Sequence, residues 1–351
     1  MRIGLILDSR LSASNITELG LLAEKYGIHT IWLASYLDSR EPFSNLSQLA
    51  RQSSQINLGP VALNPFDMHP IRIATGLLTL NELAKGRATI VIGGGGEALQ
   101  SLNLKPVRRV KAVQECIEIL KSISAVDPLD YNGELFQVKN YHPFWTTQAM
   151  PKVYVAANKP QMLKMSSRLS DGIMMSDLPA SLIKNTVEEV SVHLKAFGRE
   201  LDDFRFNNFM AWALYENKKE AIKEAKQWLG FRGLFRRWVI TTFMSDKEYD
   251  LIEAHKQEIY QMPKLNTHSV PGIPDDLLDK LVDHLTLTGH VSEVDQKIEH
   301  LLALKAAGLT DVALELRQNP AASIKLIGEK VIPAVNAVSY THLTLPTSDL
   351  V

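Results

Sequence analysis

The chain reads as a (β/α)8 TIM barrel, on three observations. Eight short apolar runs, at residues 3–8, 30–35, 56–63, 88–93, 152–156, 172–176, 204–215 and 311–316, alternate with helix-period stretches at 15–26, 71–84, 107–123, 160–169, 180–197, 218–230 and 293–307. Most of the runs are continuously apolar, the pattern of parallel strands covered on both faces. At 351 residues the chain exceeds the usual single-core size, and eight strands with intervening helices fit one large closed barrel. A doubly wound open sheet is the alternative, but it calls for a single switch point and fewer strands.

Taken in order, Met1-Arg-Ile-Gly-Leu-Ile-Leu-Asp8 is a first buried strand, too short for a signal sequence and without a small-residue cleavage site. Asp130-Tyr-Asn-Gly-Glu-Leu-Phe-Gln137 carries an Asn-Gly turn and predicts a hairpin before the fifth strand. Residues 230–285 form a mostly helical insertion before the last strand and end in a Pro/Gly-rich segment. The insertion sits where a βα loop would be, on the face that carries barrel active sites. Residues 338–351 resemble an in-frame sequencing adapter, so residues 1–337 are expected to be the native single domain and no function is read from the tail.

Composition narrows the function classes. Hydrophobic residues at 45% and charged residues at 22% are ordinary for a soluble enzyme. A net charge of −1 provides no field to recruit nucleic acid or an anionic membrane. One cysteine, Cys116, excludes a disulfide framework and any cysteine-based metal site. Its apolar neighbours Val113, Ile117 and Leu120 place it in the core. No apolar run is long enough to span a bilayer, and the expected compartment is the cytoplasm.

Three segments could carry chemistry. Gly93, Gly94, Gly95 and Gly96 follow a strand and let the backbone approach a planar or anionic ligand, although they do not match GxGxxG. Glu97 follows them, at the strand end where barrels hold acid–base residues. Gly59-Pro-Val-Ala-Leu-Asn-Pro65 reads either as a strand terminator or as strained backbone supporting a flat ring. His69 and Arg72, at the next helix start, are placed equally well as a cap or an anion contact. Asn158, Lys159, Pro160 and Gln161 open a helix whose free N–H groups suit an anion, or form an ordinary cap with proline in the first turn. Arg232, Arg236 and Arg237 fall at helical spacing and read as a solvated face rather than an anion clamp.

Together these pieces resemble the bacterial-luciferase-like flavin and deazaflavin oxidoreductases, nearest the methylenetetrahydromethanopterin reductase branch. The matching stretches are Leu58-Gly-Pro-Val-Ala-Leu-Asn-Pro65 with His69-Pro70, Leu80 through the glycine run, Tyr131-Asn-Gly-Glu-Leu-Phe136, Val155-Ala-Ala-Asn-Lys-Pro-Gln-Met-Leu163 with Ser170-Asp-Gly172, Leu287-Thr-Gly289, and Ala307-Gly-Leu309. Each stretch is loose alone, but six in order are specific, and they cover about residues 1–337. The resemblance implies a barrel with its cofactor at the strands' C-terminal face and a non-proline cis peptide at Val61–Ala62 behind the ring, close to Asn64. It implies Glu97 as the acidic residue after the glycine loop, and 158–161 as the segment that meets the cofactor phosphate. One departure stands out: Ser35 and Tyr36 end the second strand where many relatives carry an Asp-His pair, which puts a dehydrogenase-type base mechanism in doubt.

The expectation is therefore a cytoplasmic, homo-oligomeric oxidoreductase moving a hydride between coenzyme F420 and a small-molecule substrate. Methylenetetrahydromethanopterin leads the candidates, Glu97, Tyr36 and Ser35 are the catalytic candidates, and no metal is expected. An FMN-dependent monooxygenase and a catalytically inactive flavin-binding relative are the alternatives.

Overall fold

The computed structural model describes residues 1–96, 98–232 and 235–337. Glu97 and the 338–351 tail, both singled out above, lie outside the described residues. The strands are β1 (Arg2–Leu7), β2 (Thr30–Ala34), β3 (Asn57–Val61), β4 (Thr89–Ile92), β5 (Leu129–Asn132), β6 (Gln137–Tyr141), β7 (Lys152–Ala156), β8 (Gly172–Ser176), β9 (Arg205–Tyr215), β10 (Thr286–His290) and β11 (Asp311–Glu315). Among the described residues, the main sheet runs β3-β2-β1-β11-β9-β8-β7-β4, with β10 on β9. Its ladders are parallel, for example Ile6 against Trp32 and against Glu315. Parallel bridges Leu58–Ala88 and Leu63–Ile92 join β3 to β4 and close the eight-stranded ring. The predicted barrel is present.

The β3/β4 seam explains the sequence around Gly59. Leu58 N–H donates to Arg87 O at 3.2 Å and Leu63 N–H to Val91 O at 3.0 Å. Between them Pro60 has no N–H to give, so the seam is sparsely bonded. A Cβ on Gly59 would lie 1.7 Å from the Thr89 carbonyl oxygen, so only glycine lets the two strands close here. Arg87 then ties the seam to the helix Pro42–Gln52, donating to Ala50 O at 3.0 Å and to Ser53 O at 2.9 Å. Much of the matching stretch that begins at Leu80 is therefore barrel construction: Asn81 also donates to Ala149 O at 2.9 Å and accepts from Ala88 N–H at 3.2 Å.

The predicted hairpin is β5–β6, antiparallel and set outside the barrel. Its turn wraps a carboxylate: Glu115, with a fully buried side chain, accepts the N–H groups of Glu134, Leu135 and Phe136 at 2.9 Å each. Gly133 is required because a Cβ there would meet Glu115 Oε2 at 2.4 Å. Burial alone would raise the Glu115 pKa, but those N–H donors and Lys111 hold it below the ordinary carboxylate value. The stability this contributes is present above the unfolded pKa and is lost as pH falls through the folded one. Glu115→Gln turns an amide N–H2 toward backbone donors and is expected to destabilise by about 3 kcal/mol at neutral pH. Chemical denaturation at neutral and acidic pH checks both the loss and its shrinkage in acid.

Two elements differ from the sequence reading. Helix Pro42–Gln52 was not expected, because its Ser- and Asn-rich face reads as loop; Leu46, Leu49 and Ala50 are its buried side, and Glu41 caps it by accepting from Phe43 and Ser44 N–H. The insertion does not run to the last strand: it ends at β10, which pairs with Ala211–Tyr215 of the long β9, and helix Val294–Ala306 follows before β11. Thr286, Thr288 and Gly289 hid β10 from an apolar-run search. The insertion is helical as expected: after helix Lys218–Arg232, which matches the helix predicted at 218–230, it carries Arg237–Ile240, Asp246–Ala254, Lys256–Leu265 and Asp275–Leu285. Cys116 is buried and its thiol pKa is pushed up by that burial.

Candidate active site

The C-terminal mouth of the barrel has two unlike halves. On one side stand Ala34, Ala62, Gly93 and Ala156, from the ends of four strands. A Cβ at Gly93 would come within 3.3 Å of the Ala62 and 3.6 Å of the Ala156 methyl carbon, and Ala34 belongs to the same packed cluster, so these residues make a ledge of small side chains. The Val61–Ala62 peptide on this ledge is cis, as the family resemblance implied. Beyond Gly93, Gly94 lies near Arg109 and Met162. Gly95 has φ +74°, and a Cβ there would strike Leu99 at 2.3 Å; Gly96 is exposed with nothing within 4 Å. Of the glycine run, Gly93 and Gly95 thus have clear steric reasons. Asn64 closes the turn after β3, accepting from Phe66 N–H at 3.0 Å and donating to Asp67 at 2.8 Å.

Next to the ledge, helix Pro160–Leu169 starts with no side-chain cap on its free N–H groups. Lys159, at its N-cap, and Gln161 are exposed, and the Lys159 ammonium lies 4.7 Å from the Trp238 ring centre. In the amide orientation that satisfies both of its groups, Asn158 donates to Ala157 O at 3.2 Å and accepts from Arg236 Nη1 at 3.2 Å. Arg236 also reaches Ser176 Oγ at 3.3 Å. Burial and the like charge of Arg232 lower its pKa, and among the described residues no carboxylate makes a direct ion pair with it. His69 takes the cap role left open above, accepting from Ile71 N–H at 3.2 Å.

The opposite half is polar and buried. Asp177, at φ +55° just after β8, pairs with Arg232 at 2.9 Å. Aspartate is among the few non-glycine residues that tolerate this left-handed backbone. Arg232 also donates to Ser176 Oγ at 2.6 Å and lies 3.6 Å from the Phe209 ring centre. Glu315, at the end of β11, faces inward in register with Ala313; it is only 5% exposed, and Arg317 reaches its Oε1 at 3.3 Å. Glu315 Oε2, Asp177 Oδ1 and Trp228 Nε1 are buried without a hydrogen-bond partner. Burial raises the Glu315 pKa to about 7, against the pull of Arg317 and Arg232 and with help from Asp177 and Asp8.

Tyr36 is half-buried and belongs to this half, hydrogen-bonded to Arg232; burial first, and then Glu315, raise its phenol pKa well above the ordinary value. Ser35 is exposed at the rim, its N–H donating to Val61 O at 3.0 Å. The structure thus brings together Tyr36, Ala62, Gly93 and Asn158 around one mouth.

It also adds Asp177, Glu315 and Arg317, which sequence reasoning missed, and Arg232 and Arg236, which it read as part of a solvated face. Arg232 is not on a solvated face, as its spacing suggested, because helix Lys218–Arg232 ends over the barrel mouth; Arg237, the exposed member of the trio, pairs with Asp246 and Asp250. A signal for Glu315 was present: Asp311 and Glu315 share one face of a strand otherwise read as an apolar run, and Arg317 follows just past its end.

Known proteins share this architecture. The 5,10-methylenetetrahydromethanopterin reductase of Archaeoglobus fulgidus is 23% identical over 323 residues, covering 89% of this chain and 93% of the reductase. The structure of the coenzyme F420 dependent tetrahydromethanopterin reductase from Methanopyrus kandleri superposes with a TM-score of 0.79 at 20% identity, covering 95% of this chain and 98% of that one. An F420-dependent secondary alcohol dehydrogenase, solved with an F420-acetone adduct, gives a TM-score of 0.76 at 17% identity over 96% of this chain and 99% of that chain. The luciferase-like monooxygenase family model matches residues 1–311, and the chain belongs to that family.

Proposed function

We propose that the protein is an oxidoreductase that moves a hydride between coenzyme F420 and an organic substrate, with methylenetetrahydromethanopterin as the leading candidate. The observation that carries this reading is the ledge of Ala34, Ala62, Gly93 and Ala156, flanked by the uncapped helix at Pro160. It fits a flat ring with a phosphate-bearing chain, and the likeness to the reductases favours a deazaflavin as that ring. Bound there, the deazaflavin supplies a ring carbon that gives or takes a hydride.

The chain's own residues orient and insulate that exchange. Val61, Ala62 and Gly93 back the ring, with Asn64 holding the turn behind it. Gly94, Gly95 and Gly96 border its far side. Asn158, Lys159, Pro160 and Gln161 receive the phosphate, with Arg236 beside them. Glu97 is the proposed proton donor. Tyr36, like any phenol, keeps its proton at neutral pH, and burial raises its pKa further, so its hydroxyl is available as a hydrogen-bond donor at the mouth. Ser35 stands at the rim where relatives carry an acidic residue. Among the described residues no helix is long and apolar enough to cross a membrane; a cytoplasmic homo-oligomer is part of the proposal.

Turnover tests the reading. Anaerobic enzyme with reduced deazaflavin and the methylene pterin is expected to restore the visible absorbance of oxidised deazaflavin and to form the methyl pterin. Oxygen uptake with reduced FMN and no such exchange would support the monooxygenase alternative instead.

A further inference from the structure

The polar half of the mouth holds an uneven set of charges. Three guanidinium groups, those of Arg232, Arg236 and Arg317, meet two carboxyl groups, Asp177 and Glu315. Asp8 is paired with Arg10 at 3.0 Å on the rim, and Tyr36 and Tyr215 remain neutral phenols, the latter donating to Glu224 at 2.7 Å. Asp177 is committed to Arg232, and among the described residues Arg236 has no direct carboxylate partner. Glu315 is the member of this set whose charge is least settled. It is almost fully buried, its Oε2 accepts from no donor, and one arginine at 3.3 Å supports its other oxygen. An ionised carboxylate held this way lacks the several hydrogen bonds that normally replace its hydration.

We propose that Glu315 couples ligand charge to proton uptake: the carboxyl is neutral when an anionic ring or oxyanion occupies the mouth, so ligand and proton bind together. Among these five groups the arginines exceed the carboxylates by two charges with Glu315 neutral and by one with it ionised. Glu224, buried and within the field of Arg317, with its own pKa raised by burial, is a further carboxyl at the edge of the set. An anion brought into this low-dielectric pocket therefore favours the neutral carboxyl, and by reciprocity the neutral carboxyl favours the anion. The groups that set the balance are Asp8 just after β1, Tyr36 after β2, Asp177 after β8, Arg232 from the helix after β9, and Arg317 two residues past the end of β11. Glu315 thus selects ligands by charge, a role separate from the proton donor proposed for Glu97.

The idea rests on the proposed cofactor site but not on which cofactor fills it. Binding of coenzyme F420 and of FMN is measured by calorimetry in two buffers of different ionisation enthalpy, for the parent and for Glu315→Gln, from pH 6 to pH 8.5. For whichever cofactor binds, the parent is expected to take up a proton above neutral pH and to lose about tenfold in affinity as pH rises across this range. The ligand's own titration is common to both proteins, so the Gln variant should lose the extra uptake and hold its affinity at the alkaline end. Equal proton uptake by parent and variant would overturn the proposal. If neither cofactor binds, the proposed function fails, and infrared spectroscopy of the unliganded parent decides the matter for Glu315. A carboxylic-acid band at pH 6 that fades by pH 8.5, and is missing from the Gln variant, supports it; no such band refutes it. The infrared titration of the parent also stands if the variant fails to fold.

Discussion

Gly59→Ala is expected to destabilise the protein by at least ~3 kcal/mol, the upper end for over-packing, because the new Cβ would meet a backbone carbonyl that no side-chain rotation can move. The Thr89 oxygen lies on the one seam of the barrel where Pro60 has already removed a hydrogen bond, so little remains there to absorb the shift. The damage should also reach the ledge, since Val61 and Ala62 follow directly on the same strand. Gly96→Ala is the control: Gly96 is exposed and a Cβ there meets nothing, so its effect should stay within ~0.5 kcal/mol. Denaturant unfolding of both variants makes the comparison. Parent-like stability of Gly59→Ala would mean that the β3/β4 seam closes more loosely than described.

Glu97→Gln should lower turnover by ~10²–10⁴ while leaving cofactor affinity nearly unchanged. The substitution keeps the size and most of the hydrogen-bonding capacity of the side chain and removes the transferable proton. Single-turnover kinetics with preloaded cofactor separates chemistry from binding. A variant that turns over like the parent would move the donor role to Tyr36, for which Tyr36→Phe is the corresponding test.

The barrel was legible because a parallel sheet covered on both faces leaves continuous apolar runs, and such runs survive inspection of one sequence. β10 was not, because Thr286, Thr288, Gly289 and His290 dilute the run. Helix Pro42–Gln52 was not, because its polar face is rich in serine and asparagine, residues that favour turns unless a packed face overrides them. At the site, the ledge could be read from small residues beside glycine and proline, since backbone constraints are local. The charged half could not. Asp177, Arg232, Glu315 and Arg317 come from three distant parts of the chain, and their roles depend on desolvation and mutual charge that only the closed barrel creates. Arg232 is the plainest case: helical spacing placed it with exposed Arg237, whereas the end of its helix turns it inward to Asp177.

The cofactor is the centre of the account, and direct binding tests it. Fluorescence titration of the purified protein with coenzyme F420 and, separately, with FMN should give saturable binding of the deazaflavin and an affinity for FMN at least about tenfold weaker, a difference of ~1.4 kcal/mol. Tight binding of FMN with no binding of the deazaflavin would contradict the account and leave the monooxygenase chemistry in its place.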